Sequence, residues 1–272
     1  MPDQEIAPTI CARGLSRRFG GHLAVNNITV DLRRGEVLGL LGPNGAGKTT
    51  TMQMLTGNLA PSGGEISICG VDLMEEPVQA KAHLGYLPEV PPLYRELTVD
   101  EYLLLAAKLH RVPRARRRDA IAAARERCGL AGAGNKLIGT LSKGYQQRVG
   151  IAQAIVHAPD VVILDEPTVG LDPRSARILK DILNELARSG CVVFMSTHIM
   201  EIAEAMCDRV GIIDHGKLVA VGNLDDLRRK TREEGATLED LFLSLTGGSE
   251  YEEVKRFLSI PAPTHAPAAP QS

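Results

Sequence analysis

Nine consecutive residues, Gly42, Pro43, Asn44, Gly45, Ala46, Gly47, Lys48, Thr49 and Thr50, restrict this chain more than any other stretch. They follow EVLGLL, which reads as a strand, and open a segment that reads as a helix to about Leu55, ended by Gly57 and Pro61. Strand, glycine-rich loop and helix in that order make a phosphate cradle. The glycines let backbone N–H groups curl around an anion, Lys48 reaches the β- and γ-phosphates, and the Thr49 hydroxyl can bind Mg²⁺. A loop of this kind belongs at the carboxyl edge of a largely parallel sheet, and the rest of the chain must supply that sheet.

The later half has the right character. DVVILD, CVVFMS, RVGIID and KLVAVG read as strands alternating with helices over Arg174 to Arg188 and Ile199 to Met206. VVIL and VVFM are apolar on successive residues, as expected of strands covered on both faces. Thr9 to Leu41 is β-rich, with TICARGL and NITVDL as strands, and GGEISICG and HLGYLPE add two more. Thr98 to His157 is helical in character, with Ile121, Ala124 and Cys128 on one face. Past Gly222, Leu238, Leu241, Phe242 and Leu245 share a helical face, EYEEVKRFLSI reads as a further short helix, and the Pro/Ala-rich end reads as disordered.

Two acids end the strand Val161 to Glu166. Beside a P-loop, Asp165 would support the metal and Glu166 would polarise the attacking water, so hydrolysis is implied rather than mere binding. FMSTH ends its strand in Ser196, Thr197 and His198, which puts a histidine at the same edge, within reach of the γ-phosphate. LSKGYQQR, Leu141 to Arg148, reads as another helix start in which Ser142 accepts a hydrogen bond from a free backbone N–H. Its N-terminus suits an anion, which raises the question of which phosphate it serves.

These pieces in this order resemble the ATP-binding cassette of ABC transporters, over nearly the whole chain to about Arg229. The resemblance implies a RecA-like P-loop NTPase core (α/β) with an antiparallel β-subdomain and an α-helical subdomain over about 91–157. It places the ATP-binding domain at 7–232, a C-terminal helical extension at 233–260 and the tail at 261–272. It implies that Phe19 stacks on adenine, Ser142 and Gly144 are signature residues, Glu166 activates water, Asp172 communicates across a dimer and His198 is the switch histidine. Thr49, Glu89 and Asp165 would serve the metal. In this family two cassettes face head to tail, so the signature contacts a γ-phosphate held by the other subunit, and a second cassette, the same chain or a related one, is required.

Two positions depart from the family pattern. Lys143 and Tyr145 stand in a signature that usually reads LSGGQ, and Glu89 stands where a glutamine is usual. Both departures resemble ABC-2 type exporter ATPases. The implied cofactors are ATP and Mg²⁺, and the implied partner is an ABC-2 type integral membrane permease. The implied location is cytoplasmic, on the inner face of the cell membrane. A soluble ABC-type ATPase with a regulatory role is the alternative.

Composition narrows the rivals. With 31 Lys and Arg against 33 Asp and Glu the net charge is -2, so overall electrostatics select no polyanion. The run Arg111, Arg114, Arg116, Arg117 and Arg118 reads as a solvated helix face, and with 3% aromatics no rings interleave it, which argues against nucleic acid. The five cysteines form no C-x-x-C pair and read as reduced thiols. The N-terminus lacks a signal-peptide pattern, and no apolar run approaches membrane-spanning length. The stretch from Glu89 to Leu141 is too short for the coiled coil of a DNA-repair ATPase, and NKLI lacks the acid of a guanine reader.

Overall fold

The computed structural model describes residues 8–231 and 235–246. Near the N-terminus, β1 (Ile10–Phe19) and β2 (His22–Leu32) form a hairpin; β4 (Gly63–Ile68) pairs with the other side of β1, and the short β5 (Val71–Asp72) completes an antiparallel sheet ordered β2-β1-β4-β5. The hairpin is longer than TICARGL and NITVDL suggest. Register shifts after Ala12, Leu15 and Arg17 break the two-residue alternation, so the ends of both strands read as irregular sequence although they stay paired.

The second sheet is centred on β3 (Val37–Leu41). It also contains β6 (Leu84–Leu87), β7 (Val161–Leu164), β8 (Val192–Thr197), β9 (Arg209–Asp214) and β10 (Lys217–Gly222), in the order β10-β9-β3-β8-β7-β6. Every pairing is parallel except that of β10, which folds back on β9 at His215 and Gly216. Along β7, Val161 and Ile163 join one hydrophobic core while Val162 and Leu164 join another, and β8 splits its residues the same way. The uninterrupted apolar runs therefore mean burial on both faces.

One core lies under the antiparallel sheet and α1 (Lys48–Leu55). The other lies under α3 (Val99–Leu109), α4 (Arg117–Arg127), α5 (Lys143–Ile155) and α6 (Pro173–Arg188). Thr98 and Glu101 form a reciprocal capping box at the start of α3, and the Asp172 side chain caps α6 with Pro173 in its first turn. α5 lies close on β6. A Cβ on Gly85 would sit 2.1 Å from the Ala154 carbonyl oxygen, and one on Gly150 would sit 2.6 Å from the Leu87 side chain.

A third core forms under α7 (Met200–Met206), α8 (Leu224–Thr231) and α9 (Leu238–Thr246). Leu238 and Leu241 are buried in it and Phe242 and Leu245 pack against it, as the periodicity predicts. The expected second helix, EYEEVKRFLSI, and the Pro/Ala-rich tail lie outside the described residues. Two α-helices carry no expectation from the sequence: α2 (Pro77–Ala82), six residues signalled by a proline in its first turn, and α8. Among the described residues, no helix is long and apolar enough to cross a membrane.

Candidate functional site

β3 ends at Leu41 and delivers the glycine-rich loop to the carboxyl edge of the parallel sheet. Gly42 fits there because it has no side chain: a Cβ would lie 2.3 Å from the Ile213 carbonyl oxygen. Gly45 and Gly47 take positive φ, 83° and 105°, which a glycine adopts without strain. The Gly42 N–H donates to the Thr197 carbonyl at 3.3 Å, and the Gly216 N–H donates to the Ala46 carbonyl at 2.9 Å, so the loop is anchored to β8 and to the β9–β10 turn. Lys48 is buried, donates to the carbonyls of Gly42 (2.8 Å) and Pro43 (3.2 Å), and approaches Glu166 Oε1 at 3.3 Å.

The two acids after β7 lie beside the end of β8. Leu164 pairs with Met195, so the next residues along, Asp165 and Ser196, are neighbours. The Ser196 hydroxyl donates to Asp165 Oδ1 at 2.5 Å and accepts the Glu166 N–H at 2.9 Å. Glu166 itself takes a left-handed φ of 47°. Its Oε2 lies 3.0 Å from His198 Nδ1, while its buried Oε1 has no hydrogen-bond partner. The charge on that oxygen is met by the Lys48 ammonium at 3.3 Å, an ion pair inside the cavity that leaves room for a further hydrogen-bond donor such as a water.

Asn44, Gly45, Gly47, Lys48, Thr49 and Thr50 line one cavity of about 380 Å³ together with Glu89, Glu166 and His198. Asp165 stands behind this wall, 1% exposed, and is hydrogen-bonded to Ser196. Phe19 stands apart at the tip of the β1–β2 hairpin, its ring exposed and covered on one side by the Arg17 guanidinium at 4.8 Å from the centroid.

Ser142 and Gly144 do not line that cavity. Ser142 occupies the N-cap position of α5, as the sequence suggests, but its side chain makes no capping hydrogen bond, which corrects the expectation that it satisfies a free N–H of its own helix. Gln146 Nε2 instead donates to the carbonyls of Leu141 (3.0 Å) and Ile138 (3.3 Å), tying the chain that enters the helix to its first turn. Gly144 is buried against Ser175, whose hydroxyl donates to Asp172 Oδ2 at 2.7 Å, and this bonding holds the Asp172 carboxyl below its ordinary pKa. The Lys143 amino group lies over Gly170, where any Cβ would collide with it.

Sequence reasoning missed two links. Ser196 was noted only as part of Ser-Thr-His, and its bridge between the two acids depends on strand register. Gln147 Nε2 donates to the Pro167 carbonyl at 2.9 Å and joins α5 to the loop after Glu166. A helix position four residues after Lys143 gives no sequence signal for that contact.

The family model described as "ABC transporter" matches residues 25–169, just over half of the chain. The chain belongs to the ABC transporter family. Its fold is accordingly that of the family's P-loop ATPase domain, with the mixed parallel core and antiparallel subdomain described above. A solved structure titled as the ATP-binding subunit of an ABC transporter superposes with a TM-score of 0.80 at 35% identity, covering 88% of this chain and 99% of its own. Escherichia coli YbhF, described as a probable multidrug ABC transporter ATP-binding protein, is 36% identical over 237 residues, which is 86% of this chain and 41% of YbhF. The chain thus spans less than half the length of that relative. The Nod factor export ATP-binding protein I of Burkholderia orbicola is 38% identical over 217 residues, 80% of this chain and 71% of its own length.

Proposed function

We propose that this chain is the ATP-binding and ATP-hydrolysing subunit of an ABC transporter, an exporter, that works as a pair of cassettes beneath a separate ABC-2 type membrane permease. The observation that carries the reading is the convergence of Lys48, Glu166 and His198 on one cavity while Ser142 stays exposed outside it, its hydroxyl uncommitted to its own helix. A signature surface turned away from its own phosphate site supports action on the phosphate of a second cassette.

In this reading the N–H groups of Gly45 and Gly47 and the Lys48 ammonium bind the phosphates of the substrate ATP, with Asn44, Ala46 and Thr50 shaping the loop and Phe19 facing the adenine. The oxygen donors of Thr49, Glu89 and Asp165 suit a hard dication and would hold Mg²⁺, which when bound offsets the charge on the phosphate oxygens. Glu166 Oε1, buried and without a hydrogen bond, accepts the proton of the attacking water once the Lys48 ammonium has moved off it, and His198 fixes the other carboxylate oxygen so that Oε1 keeps its aim. Because Glu166 also contacts Lys48, ATP entry must redirect the ammonium from the carboxylate to the phosphates.

Beside Glu89 a second cavity of about 540 Å³ opens between Val90, Pro91, Leu93, Arg95 and the start of α5. Val90 is 79% exposed and Tyr94 52%, an apolar rim that suits a helix of the permease. The YbhF and Nod factor descriptions support export, and location on the inner membrane face follows from the permease. The test is Glu166→Gln: ATP binding is retained, turnover collapses, and an ATP-bound dimer accumulates. Normal turnover in that variant removes Glu166 from its role. Copurification of a multispanning membrane protein in stoichiometric amount supports transport, and its repeated absence from native membranes favours a soluble regulatory ATPase.

A further inference from the structure

At the opposite edge of the parallel sheet from the nucleotide cavity, three chemically distinct metal ligands meet. Cys69, His83 and Asp160 place one ligand atom each within 4.8 Å of one another. His83 immediately precedes β6 and Asp160 immediately precedes β7, so about 13 Å of strand separates this cluster from the acids after β7. Cys69 comes from the turn between β4 and β5, on the other sheet. We propose that Cys69, His83 and Asp160 form a binding site for a thiophilic divalent cation of the Zn²⁺ class.

The ligand set matches that chemistry. Thiolate, imidazole and carboxylate are the three donor types that Zn²⁺ takes, and one thiolate with one carboxylate neutralises a dication. Tetrahedral coordination needs ligand atoms roughly 3.3–3.7 Å apart, given metal–ligand bonds of about 2.0–2.3 Å. His83 Nδ1 and Asp160 Oδ2 are 2.7 Å apart and need open by only about 0.6 Å to meet that spacing, while the exposed cysteine closes in. Water fills the fourth position.

The backbone of each ligand is already tied down. The Cys69 N–H donates to the Thr9 carbonyl at 2.7 Å, the His83 carbonyl accepts the Val161 N–H at 3.0 Å, and the Asp160 carbonyl accepts the Val192 N–H at 2.9 Å. Cys69 and Gly70 are the two central residues of a tight hairpin turn, both at positive φ, 52° and 79°. Asparagine, aspartate or glycine suits the first of these positions, and cysteine has no conformational reason to occupy it. Arg34 reaches Asp160 Oδ1 at 3.7 Å, but its side chain is mostly exposed and can leave as a dication enters. The Cys69 thiol, raised by burial and by the Asp160 charge, gives up its proton on binding. Because Cys69 rides on the antiparallel sheet and the other two on the parallel sheet, the ion clamps one sheet to the other.

The test uses the full chain, reduced, nucleotide-free and stripped of metal, titrated with Co²⁺ alone and then with Zn²⁺. Expected are a thiolate-to-cobalt charge-transfer band saturating at one equivalent, its displacement by Zn²⁺, and its absence in Cys69→Ser. His83→Gln weakens binding by roughly tenfold or more. Zn²⁺ raises the melting temperature of the parent chain and not that of Cys69→Ser, whose ATP turnover is unchanged. A missing thiolate band, a band that persists in Cys69→Ser, or an unaltered affinity in His83→Gln each overturns the site.

Discussion

The Ser196 hydroxyl donates to Asp165 Oδ1 at 2.5 Å, in a location where neither residue is exposed by more than 1%. Since the same hydroxyl accepts the Glu166 N–H, one small side chain fixes both acids of the site. Ser196→Ala leaves a buried carboxylate oxygen and a backbone N–H short of a partner, which costs about 1–3 kcal/mol. Denaturant unfolding measures that loss, and steady-state hydrolysis should fall with it because Glu166 loses its anchor.

In the proposed mechanism His198 acts through Glu166. His198→Ala removes the contact at 3.0 Å and frees the carboxylate to rotate, so turnover is expected to drop by about 10²-fold. Nucleotide affinity, set by the loop and Lys48, should stay within a few fold. A comparable loss of both would assign His198 to binding instead.

Two glycines give a paired steric test. Gly42→Ala drives a methyl against the Ile213 carbonyl and should cost about 1–3 kcal/mol while weakening ATP affinity through the displaced loop. Gly63→Ala meets nothing within 4 Å and should leave stability and affinity unchanged. Equal effects in the two variants would mean that the close contact with Ile213 does not shape the loop.

Acid stability should turn on a histidine pair between the helical layer and β6. The rings of His110 and His157 stack at 3.7 Å, and His157 Nε2 contacts the Leu84 carbonyl at 3.1 Å. Burial, with the neighbouring ring adding, lowers His157 to about 4, and burial lowers His110 as well. The folded pKa lies below the unfolded one, so between about 6.5 and 4 the unfolded chain binds more protons. Stability is therefore full above about pH 6.5 and declines toward pH 4, by up to about 3 kcal/mol for His157. Urea unfolding across that range checks it, and His157→Gln should flatten the slope.

Much of this architecture is legible in local sequence because it rests on short-range rules. The P-loop declares its own strand and helix, VVIL declares two-sided burial, and Leu238, Leu241, Phe242 and Leu245 declare a helix face. The features that stayed hidden are set by register between distant segments. Asp165 and Ser196 are 31 residues apart in sequence and meet because β7 pairs with β8. Cys69, His83 and Asp160 come from three separate turns. The Ser142 side chain makes no capping bond, and Gln146 fixes the chain before the helix by donating to the Leu141 and Ile138 carbonyls, a contact that an N-cap rule does not address.

α5 is held along its length: Gly85 lies under Ala154, Gly150 lies against Leu87, and Gln147 donates to the Pro167 carbonyl. The helix is about 20 Å long, and Ser142 stands at its far end. A tilt of about 5° would swing that end by nearly 2 Å, on a 20 Å arm. That travel equals a large part of a hydrogen bond's reach, so the Gln147–Pro167 bond makes the start of α5 and the loop after Glu166 move as one.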